Sequence, residues 1–143
     1  MLESERVLII SEFRLVNKVF LSIDQDRTVK ETLKKIRKAE TDQDKAYAVN
    51  ETGAQNLANV CKNNNIRLLH VSTDFVFDGT KNTPYQTNDQ THPISVYGAS
   101  KLAGDIAIMD TLPHAIIVRT AWVYSANGNN FVKTMLRLMA EKP

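Results

Sequence analysis

The strongest structural signal in the chain is the run Ile66-Arg67-Leu68-Leu69-His70-Val71-Ser72. It is mostly apolar with no polar alternation, which is typical of a central strand in a parallel sheet that is covered on both faces. The run therefore predicts a strand from Ile66 to Ser72. Open α/β sheets bind their ligands beyond the carboxyl ends of the strands. The polar residues Ser72, Thr73 and Asp74 would lie at such an end, and they are the first candidates for a site.

Helical and strand patterns alternate around this strand. From Asp42 onward the sequence predicts helices over Asp42–Asn63, Tyr97–Thr111 and Phe131–Ala140 and a strand over Ala115–Thr120. The N-terminal part predicts a strand over Arg6–Ile10, a segment over Ser11–Asp24 that fits either helix or strand, and a helix over Thr28–Lys38. This order indicates a layered α/β fold with a parallel sheet. A length of 143 residues suits one domain over 1–143.

Composition excludes several classes of protein. The net charge is 18 − 16 = +2, and the basic residues are scattered, which argues against nucleic-acid binding. No apolar run reaches the roughly 18 residues of a membrane span. The single cysteine, Cys61, excludes a disulfide framework and a cysteine zinc site, and we expect it to be buried. The acidic start of the chain lacks the apolar core of a signal peptide, so we expect a cytosolic protein.

The clearest chemistry lies in Tyr97-Gly98-Ala99-Ser100-Lys101, where a phenol and an ammonium are four residues apart. On a helix, side chains with this spacing share one face. A neighbouring positive charge favours the phenolate and lowers the pKa of a tyrosine, which can then give a proton to a carbonyl oxygen while a hydride arrives at its carbon. A hydroxyl of Ser72 or Thr73 can hydrogen-bond the same oxygen. The competing interpretation is a surface helix pair with a solvated lysine.

Three features favour the catalytic interpretation. The preceding strand ends in Ser-Thr-Asp, and a long polar segment, Asp78 to His92, separates it from the helix. Gly98 and Gly104 each lower helix propensity by roughly 1 kcal/mol, which suggests that something approaches the helix closely at both positions.

Several longer motifs resemble one family in the same order along the chain. They are Ser72–Gly79 (STDFVFDG), Pro84-Tyr85, Pro93–Gly104 (PISVYGASKLAG), Arg119–Tyr124 (RTAWVY) and Asn130–Met135 (NFVKTM). This set resembles the dTDP-4-dehydrorhamnose reductases, a branch of the extended short-chain dehydrogenase/reductases. The resemblance covers about Lys38 to Pro143, which we take as family-like, whereas residues 1–37 diverge. It implies an incomplete Rossmann-like parallel sheet flanked by helices.

The resemblance also implies roles for individual residues. The catalytic group would be Tyr97, Lys101 and Thr73, with Tyr97 as the acid, Lys101 as its partner and Thr73 holding the sugar carbonyl. Lys101, Tyr97 and Ser72 would contact NADPH or NADH. Substrate contacts would come from Thr73, Asp74, Phe75 and Trp122. The implied reaction is reduction of the 4-keto group of a dTDP-linked 6-deoxy sugar in dTDP-rhamnose biosynthesis, and no metal is implied.

The chain also departs from the family. Its five glycines all lie at residue 53 or later, so Ser11-Glu12-Phe13-Arg14 follows the first strand where the family has its phosphate-binding glycines. A further family strand, expected between Ile36 and Lys38, is missing. Its loss predicts either a gap in the sheet or a new neighbour for the strand at Ile66–Ser72. The resemblance also ends before the family's C-terminal region. Two alternatives to an active enzyme therefore remain: a non-catalytic binding or regulatory module, and an inactive truncated homologue.

Several candidates also have purely structural interpretations. Trp122 fits a core residue as well as a substrate contact, and Asp74 fits a turn cap. His70, within an apolar strand, is expected to be a hydrogen-bonded core histidine, and Asn130 a helix cap. His92 and His114 are expected to face solvent. A smaller core would expose apolar edges, which predicts marginal stability or self-association.

Overall fold

Within the part of the chain that the structure describes, the architecture is a three-stranded parallel sheet with helices packed on it. In this computed structural model the described residues are 7–10 (backbone only), 36–122, 124 and 130–141. The strands are β1 (Val7–Ile10), β2 (Arg67–Thr73) and β3 (Ile116–Thr120), in the order β1-β2-β3. The predicted central strand is therefore the middle strand of the described sheet, and the predicted parallel α/β fold is confirmed.

The sheet register brings the carboxyl ends of β2 and β3 together. Thr73 on β2 pairs with Thr120 on β3, so the residues after both strands lie at one edge of the sheet. On the other side, Leu8 of β1 pairs with Leu68 of β2. Of the two outcomes predicted from the missing family strand, the structure therefore has the second: β1 is the direct neighbour of β2, and no gap separates them.

The helical segment before β2 is interrupted by a π-helical turn. It consists of α1 (Gln43–Tyr47), the π turn (Ala48–Thr52) and α2 (Gly53–Asn63). These bounds confirm the predicted helix, but the π turn was not predicted. A π turn inserts an extra residue into the helical ladder and often marks a functional position.

The remaining helices begin at polar caps. Helix α3 (Val96–Thr111) starts at Ser95, whose hydroxyl accepts a hydrogen bond from the backbone N–H of Gly98 at 3.1 Å. Helix α4 (Phe131–Glu141) starts at Asn130, whose Oδ1 accepts the N–H of Lys133 at 3.1 Å. Such caps satisfy amide groups that the first turn of a helix leaves without partners. The predicted cap role of Asn130 is confirmed.

Helical structure also precedes α1. Residues 36–41 are helical, so the end of the helix predicted over Thr28–Lys38 lies three residues later than expected. Asp42 then caps α1 by accepting the N–H of Lys45 at 3.3 Å. The start of that predicted helix and the ambiguous segment Ser11–Asp24 lie outside the described residues.

The core lies where α2 and α3 pack on β2. Its fully buried members are Ala54, Ala58 and Cys61 of α2, Leu68 of β2 and Ile108 of α3. Burial of Cys61 confirms its predicted structural role, and burial raises the pKa of its thiol. Small residues on α2 allow the two helices to approach closely. Within the described residues no helix is both long and apolar enough to cross a membrane.

Candidate active site at the carboxyl end of β2

Lys101 is a residue of helix α3, and its side chain is buried instead of extending into solvent. The residue is 4% exposed, its Nζ donates to the carbonyl oxygen of Val71 at 3.1 Å, and the same nitrogen lies 3.4 Å from Nε2 of His70. A lysine is almost never buried unless its charge is hydrogen-bonded. The interpretation of Tyr97 and Lys101 as a surface pair with a solvated lysine is therefore wrong.

Tyr97 lies one helical turn before Lys101 and packs against the segment that follows β2. Its ring meets the ring of Phe75 edge-on, with centroids 5.7 Å apart and an interplanar angle of 77°. The next residue, Gly98, lies so close to Phe75 that an added Cβ would be 2.2 Å from the Phe75 carbonyl oxygen. The close approach predicted at Gly98 is confirmed, and its partner is the protein's own backbone.

The π turn supports the same helix from the other side. Nδ2 of Asn50 donates to the hydroxyl of Ser100 at 2.9 Å, and that hydroxyl donates to the carbonyl oxygen of Tyr97 at 3.0 Å. Ser100 is fully buried. The carbonyl oxygen of Asn50 would be 2.0 Å from a Cβ at Gly104. The two glycines of α3 therefore fit against two separate backbone carbonyls.

Thr73 has local partners at the strand end. Its hydroxyl donates to Oδ1 of Asp74 at 3.1 Å and accepts the N–H of Phe75 at 3.3 Å, which caps the 3-10 turn Asp74–Val76. The cap of this turn is Thr73, so the interpretation of Asp74 as the cap is wrong. Thr73 is nearly buried, whereas Asp74 and Phe75 are exposed.

Ser72 is hydrogen-bonded to Asp105, a residue that no sequence motif indicated as part of the site. Its hydroxyl donates to Oδ2 of Asp105 at 2.8 Å, and Nε of Arg119 lies 3.4 Å from the same oxygen. Asp105 is 2% exposed, and burial raises the pKa of its carboxyl group. Since the Ser72 hydrogen is already donated, the hydroxyl can only accept from a ligand in this arrangement. The i, i+4 spacing places Lys101 and Asp105 on one face of α3, but it is equally typical of an exposed pair and does not by itself indicate a site residue.

His70 is buried as predicted, but its hydrogen bonding is incomplete. Its Nδ1 has no hydrogen-bond partner among the described residues, and Nε2 lies 3.8 Å from Oδ1 of Asp105, too far for a hydrogen bond. Burial, together with the charge of Lys101, lowers the pKa of His70 to about 4. The imidazole is therefore neutral at pH 7.

We expect this histidine to make the fold sensitive to acid. An unfolded histidine takes up a proton near pH 6.5, whereas folded His70 does so only near 4, so between these values the unfolded state binds more protons. Stability is then full above about pH 6.5 and falls by up to about 3 kcal/mol as the pH drops to about 4. Asp105 opposes this fall, because its raised pKa makes the folded state bind a proton at a higher pH than the unfolded state does.

Denaturant unfolding at a series of pH values measures the effect. His70→Gln should flatten the profile between pH 6.5 and 4, whereas His114→Gln at an exposed histidine should leave the slope unchanged. Equal slopes for His70→Gln and the unsubstituted chain would contradict the assignment.

The loop after the strand end is organised by its own contacts. The Asp78 carboxylate accepts the N–H and hydroxyl of Thr80 at 3.0 and 2.8 Å and the hydroxyl of Tyr85 at 3.3 Å. Hydrogen bonds from the Thr80 backbone and side chain, followed by those from His92 and Tyr85, lower the pKa of Asp78. The ring of Tyr85 stacks on Phe77 with centroids 4.1 Å apart. The loop therefore forms a defined polar surface beside the strand end.

Trp122 lies at the surface after β3. It is 65% exposed, it has a φ of 50°, and its ring packs on Phe131 with centroids 4.7 Å apart. Positive φ is uncommon for a bulky residue and is worth attention as a local strain. The interpretation of Trp122 as a core residue is wrong, and its contact with substrate stays a prediction. The imidazoles of His92 and His114 face solvent as predicted.

The parallel sheet belongs to the class of Rossmann-like folds, and its strand-end hydroxyls lie beside a helix that carries a tyrosine and a buried lysine. No group of metal-binding side chains occurs in the described part of the chain. Residues 10–143 match the family model of the RmlD substrate binding domain. The chain belongs to this family.

Named relatives agree with this assignment. The chain is 50% identical over 103 residues to a dTDP-4-dehydrorhamnose reductase of Sinorhizobium fredii, an alignment that covers 72% of this chain and 35% of the relative. It is 50% identical over 101 residues to a dTDP-4-keto-6-deoxy-D-glucose reductase of Streptomyces niveus, covering 70% and 35%. The chain thus spans about a third of the length of these relatives.

A solved structure shows the same fold. The dTDP-4-dehydrorhamnose reductase of Bacillus anthracis in complex with NADP superimposes with a TM-score of 0.69 at 41% identity, over 76% of this chain and 39% of that one. The predicted incomplete Rossmann-like sheet is therefore confirmed.

Proposed function

We propose that this chain carries the proton-donating half of an NAD(P)H-dependent reductase site for the 4-keto group of a dTDP-linked 6-deoxy sugar. The observation that carries the proposal is the burial of Lys101 one helical turn from Tyr97, beside the strand end at Thr73. The names of the relatives, which are reductases of dTDP-4-keto sugars, support the substrate class.

The residues present suit one half of the cofactor. Lys101 carries an ammonium and Tyr97 a phenol, which are the donor types that a ribose hydroxyl and a carbonyl oxygen accept. When bound, the nicotinamide supplies the hydride. The pyrophosphate half has less support, because the sequence has no glycine before Gly53, and the segment after β1 lies outside the described residues. NADPH is the first candidate, since a relative's structure contains NADP.

The chain's own residues would move one proton. Tyr97 gives its phenolic proton to the sugar carbonyl oxygen, and the Lys101 charge stabilises the phenolate that remains. Thr73 would donate to the same oxygen, which requires its hydroxyl to turn away from Asp74. Ser72, predicted to contact the cofactor, has only its acceptor lone pairs to offer while it donates to Asp105. Phe75 and Trp122 would offer exposed aromatic surface to the sugar nucleotide.

A non-catalytic module of the same family is the second candidate. The observation in its favour is the sequence Ser11-Glu12-Phe13-Arg14 after β1, because a carboxylate and a bulky ring disfavour close approach of a pyrophosphate. For both candidates, the reductase and the non-catalytic module, we propose a cytosolic location and a single partial dinucleotide-binding domain over 1–143.

NADPH titration separates the two candidates. Nicotinamide fluorescence is followed with the purified chain, with and without a dTDP-sugar. We expect saturable binding that Lys101→Met weakens, whereas Lys62→Met, at an exposed lysine on α2, leaves it unchanged. Absence of binding at millimolar NADPH would contradict the reductase proposal and favour the non-catalytic module.

We also propose that the chain self-associates. Apolar side chains are exposed on α3 and β3, including Ile106 at 53% and Ile116 at 56%, and on α4, where Leu136 is 61% exposed. Exposed apolar side chains in this number favour association. Sedimentation velocity should give a weight-average mass that rises with concentration, and Ile106→Lys should reduce the rise. A monomer at all concentrations that melts in one sharp transition would contradict this proposal.

A further inference from the structure

A buried polar layer lies between α3 and the sheet, and most of it has no part in the proposed proton transfer. It consists of His70 and Ser72 on β2, Lys101 and Asp105 on α3, and Arg119 at the end of β3. The first four are each no more than 4% exposed. Buried polar groups are costly unless they are paired, so such a layer calls for a reason.

The contact between His70 and Lys101 has one consistent chemical interpretation. A lysine ammonium has three donors and no acceptor, so at 3.4 Å the Nε2 of His70 can only be the acceptor. The imidazole must then be neutral and carry its proton on Nδ1, the atom without a partner among the described residues. The depressed pKa of His70, about 4, is consistent with a neutral ring at pH 7.

Asp105 limits where the imidazole can direct its Nε2. The Oδ2 atom of Asp105 accepts a hydrogen bond from Ser72, and Arg119 lies beside the same oxygen. The other carboxylate oxygen of Asp105, Oδ1, lies 3.8 Å from Nε2 of His70. If Nε2 carried the proton, it would point at Oδ1 and no longer accept from Lys101. The position of Lys101 therefore depends on the tautomer of one buried histidine.

We propose that His70 is a positioning residue for Lys101: its neutral imidazole accepts an ammonium hydrogen at Nε2, and with the Val71 carbonyl it fixes the Lys101 charge one helical turn from Tyr97. The inference rests on the proposed function, because the position of this charge matters to the reaction only if Tyr97 is the proton donor. The proposal explains why position 70 holds a histidine. Burial within β2 alone does not require one, since an apolar side chain would fill the same position.

The first test reads the tautomer and needs no activity. NMR of the whole chain at pH 7 measures the chemical shifts of the imidazole nitrogens. These shifts should show that His70 is protonated on Nδ1 and unprotonated on Nε2. The exposed His92 and His114 serve as internal references. Lys101→Met should move the Nε2 signal of His70 and raise its titration midpoint, because one cause of the low pKa is removed. A proton on Nε2 of His70, or a His70 signal that is the same in Lys101→Met as in the unsubstituted chain, would overturn the proposal.

The second test asks whether positioning affects turnover. His70→Gln keeps an acceptor oxygen and should retain turnover within about twofold, whereas His70→Leu keeps none and should lower kcat on the order of tenfold with little change in NADPH affinity. Equal kcat values for the two variants would overturn the proposal. If the unsubstituted chain shows no turnover, the proposed function fails, and the tautomer measurement alone decides whether His70 holds Lys101. If His70→Leu does not fold, the tautomer measurement on the unsubstituted chain decides the proposal.

Discussion

Gly104→Ala should unfold the protein or destabilise it by about 2 kcal/mol or more, despite the better helix propensity of alanine. An added Cβ would lie 2.0 Å from the carbonyl oxygen of Asn50 and 3.4 Å from the Cβ of Ala54. The clash is with backbone in a π turn that is itself packed on α3, so no side chain can rotate away. Overpacking costs of about 3 kcal/mol exceed the roughly 1 kcal/mol that alanine gains in a helix. Denaturant unfolding followed by circular dichroism measures the difference.

A matched control is available on the same helix. Ala107→Gly, at a half-buried position, changes helix propensity by the same amount in the opposite sense and should cost only about 1 kcal/mol. If Gly104→Ala proves more stable than the unsubstituted chain, as propensity alone predicts, then α3 and the π turn do not pack as described. Gly98→Ala, with its Cβ 2.2 Å from the Phe75 carbonyl oxygen, should behave like Gly104→Ala.

Tyr97→Phe should lower the rate of keto-sugar reduction by about 10²–10⁴-fold, the range for loss of a positioned general acid. The substitution removes the phenolic proton and keeps the ring, so the edge-on contact with Phe75 should persist. NADPH affinity should change little, because the ammonium of Lys101 remains. Steady-state oxidation of NADPH, monitored with a dTDP-4-keto-6-deoxy sugar, gives the rate, and fluorescence titration gives the affinity.

Tyr47→Phe provides the comparison for this substitution. Tyr47 is the last residue of α1, and it has no role in the proposed mechanism. Removal of its hydroxyl should therefore leave turnover unchanged. Turnover retained by Tyr97→Phe would refute the acid role of Tyr97. An equal fall in both variants would point to a general loss of fold, and circular dichroism distinguishes that case.

The sequence predicted those parts of the fold that depend on local pattern. The apolar run from Ile66 to Ser72 predicted β2 to within one residue at each end, and the helical pattern over Tyr97–Thr111 predicted α3. Asn130 was predicted as a cap because its position before an apolar-periodic segment is a local feature. The motifs between Ser72 and Met135 indicated the family, since they are long and occur in order.

Contacts between distant segments were not predictable from these patterns. Lys101 and Asp105 have the spacing of an ordinary surface pair, and their burial arises only when α3 lies on β2 and β3. The hydrogen bond from Ser72 to Asp105 joins residues 33 positions apart. Likewise Gly98 and Gly104 indicated close approaches, but the approaching carbonyls belong to Phe75 and Asn50, and the latter depends on a π turn that helix propensity does not encode.

Transfer of deuterium tests most directly whether this chain carries a reductase site. The purified chain is incubated with NADPH deuterated at the transferring position of the nicotinamide and with a dTDP-4-keto-6-deoxy sugar, and the sugar product is analysed by mass spectrometry and NMR. The account predicts deuterium on C4 of a dTDP-6-deoxy sugar, and no such product with Tyr97→Phe. Recovery of unchanged keto sugar from a folded chain would contradict it.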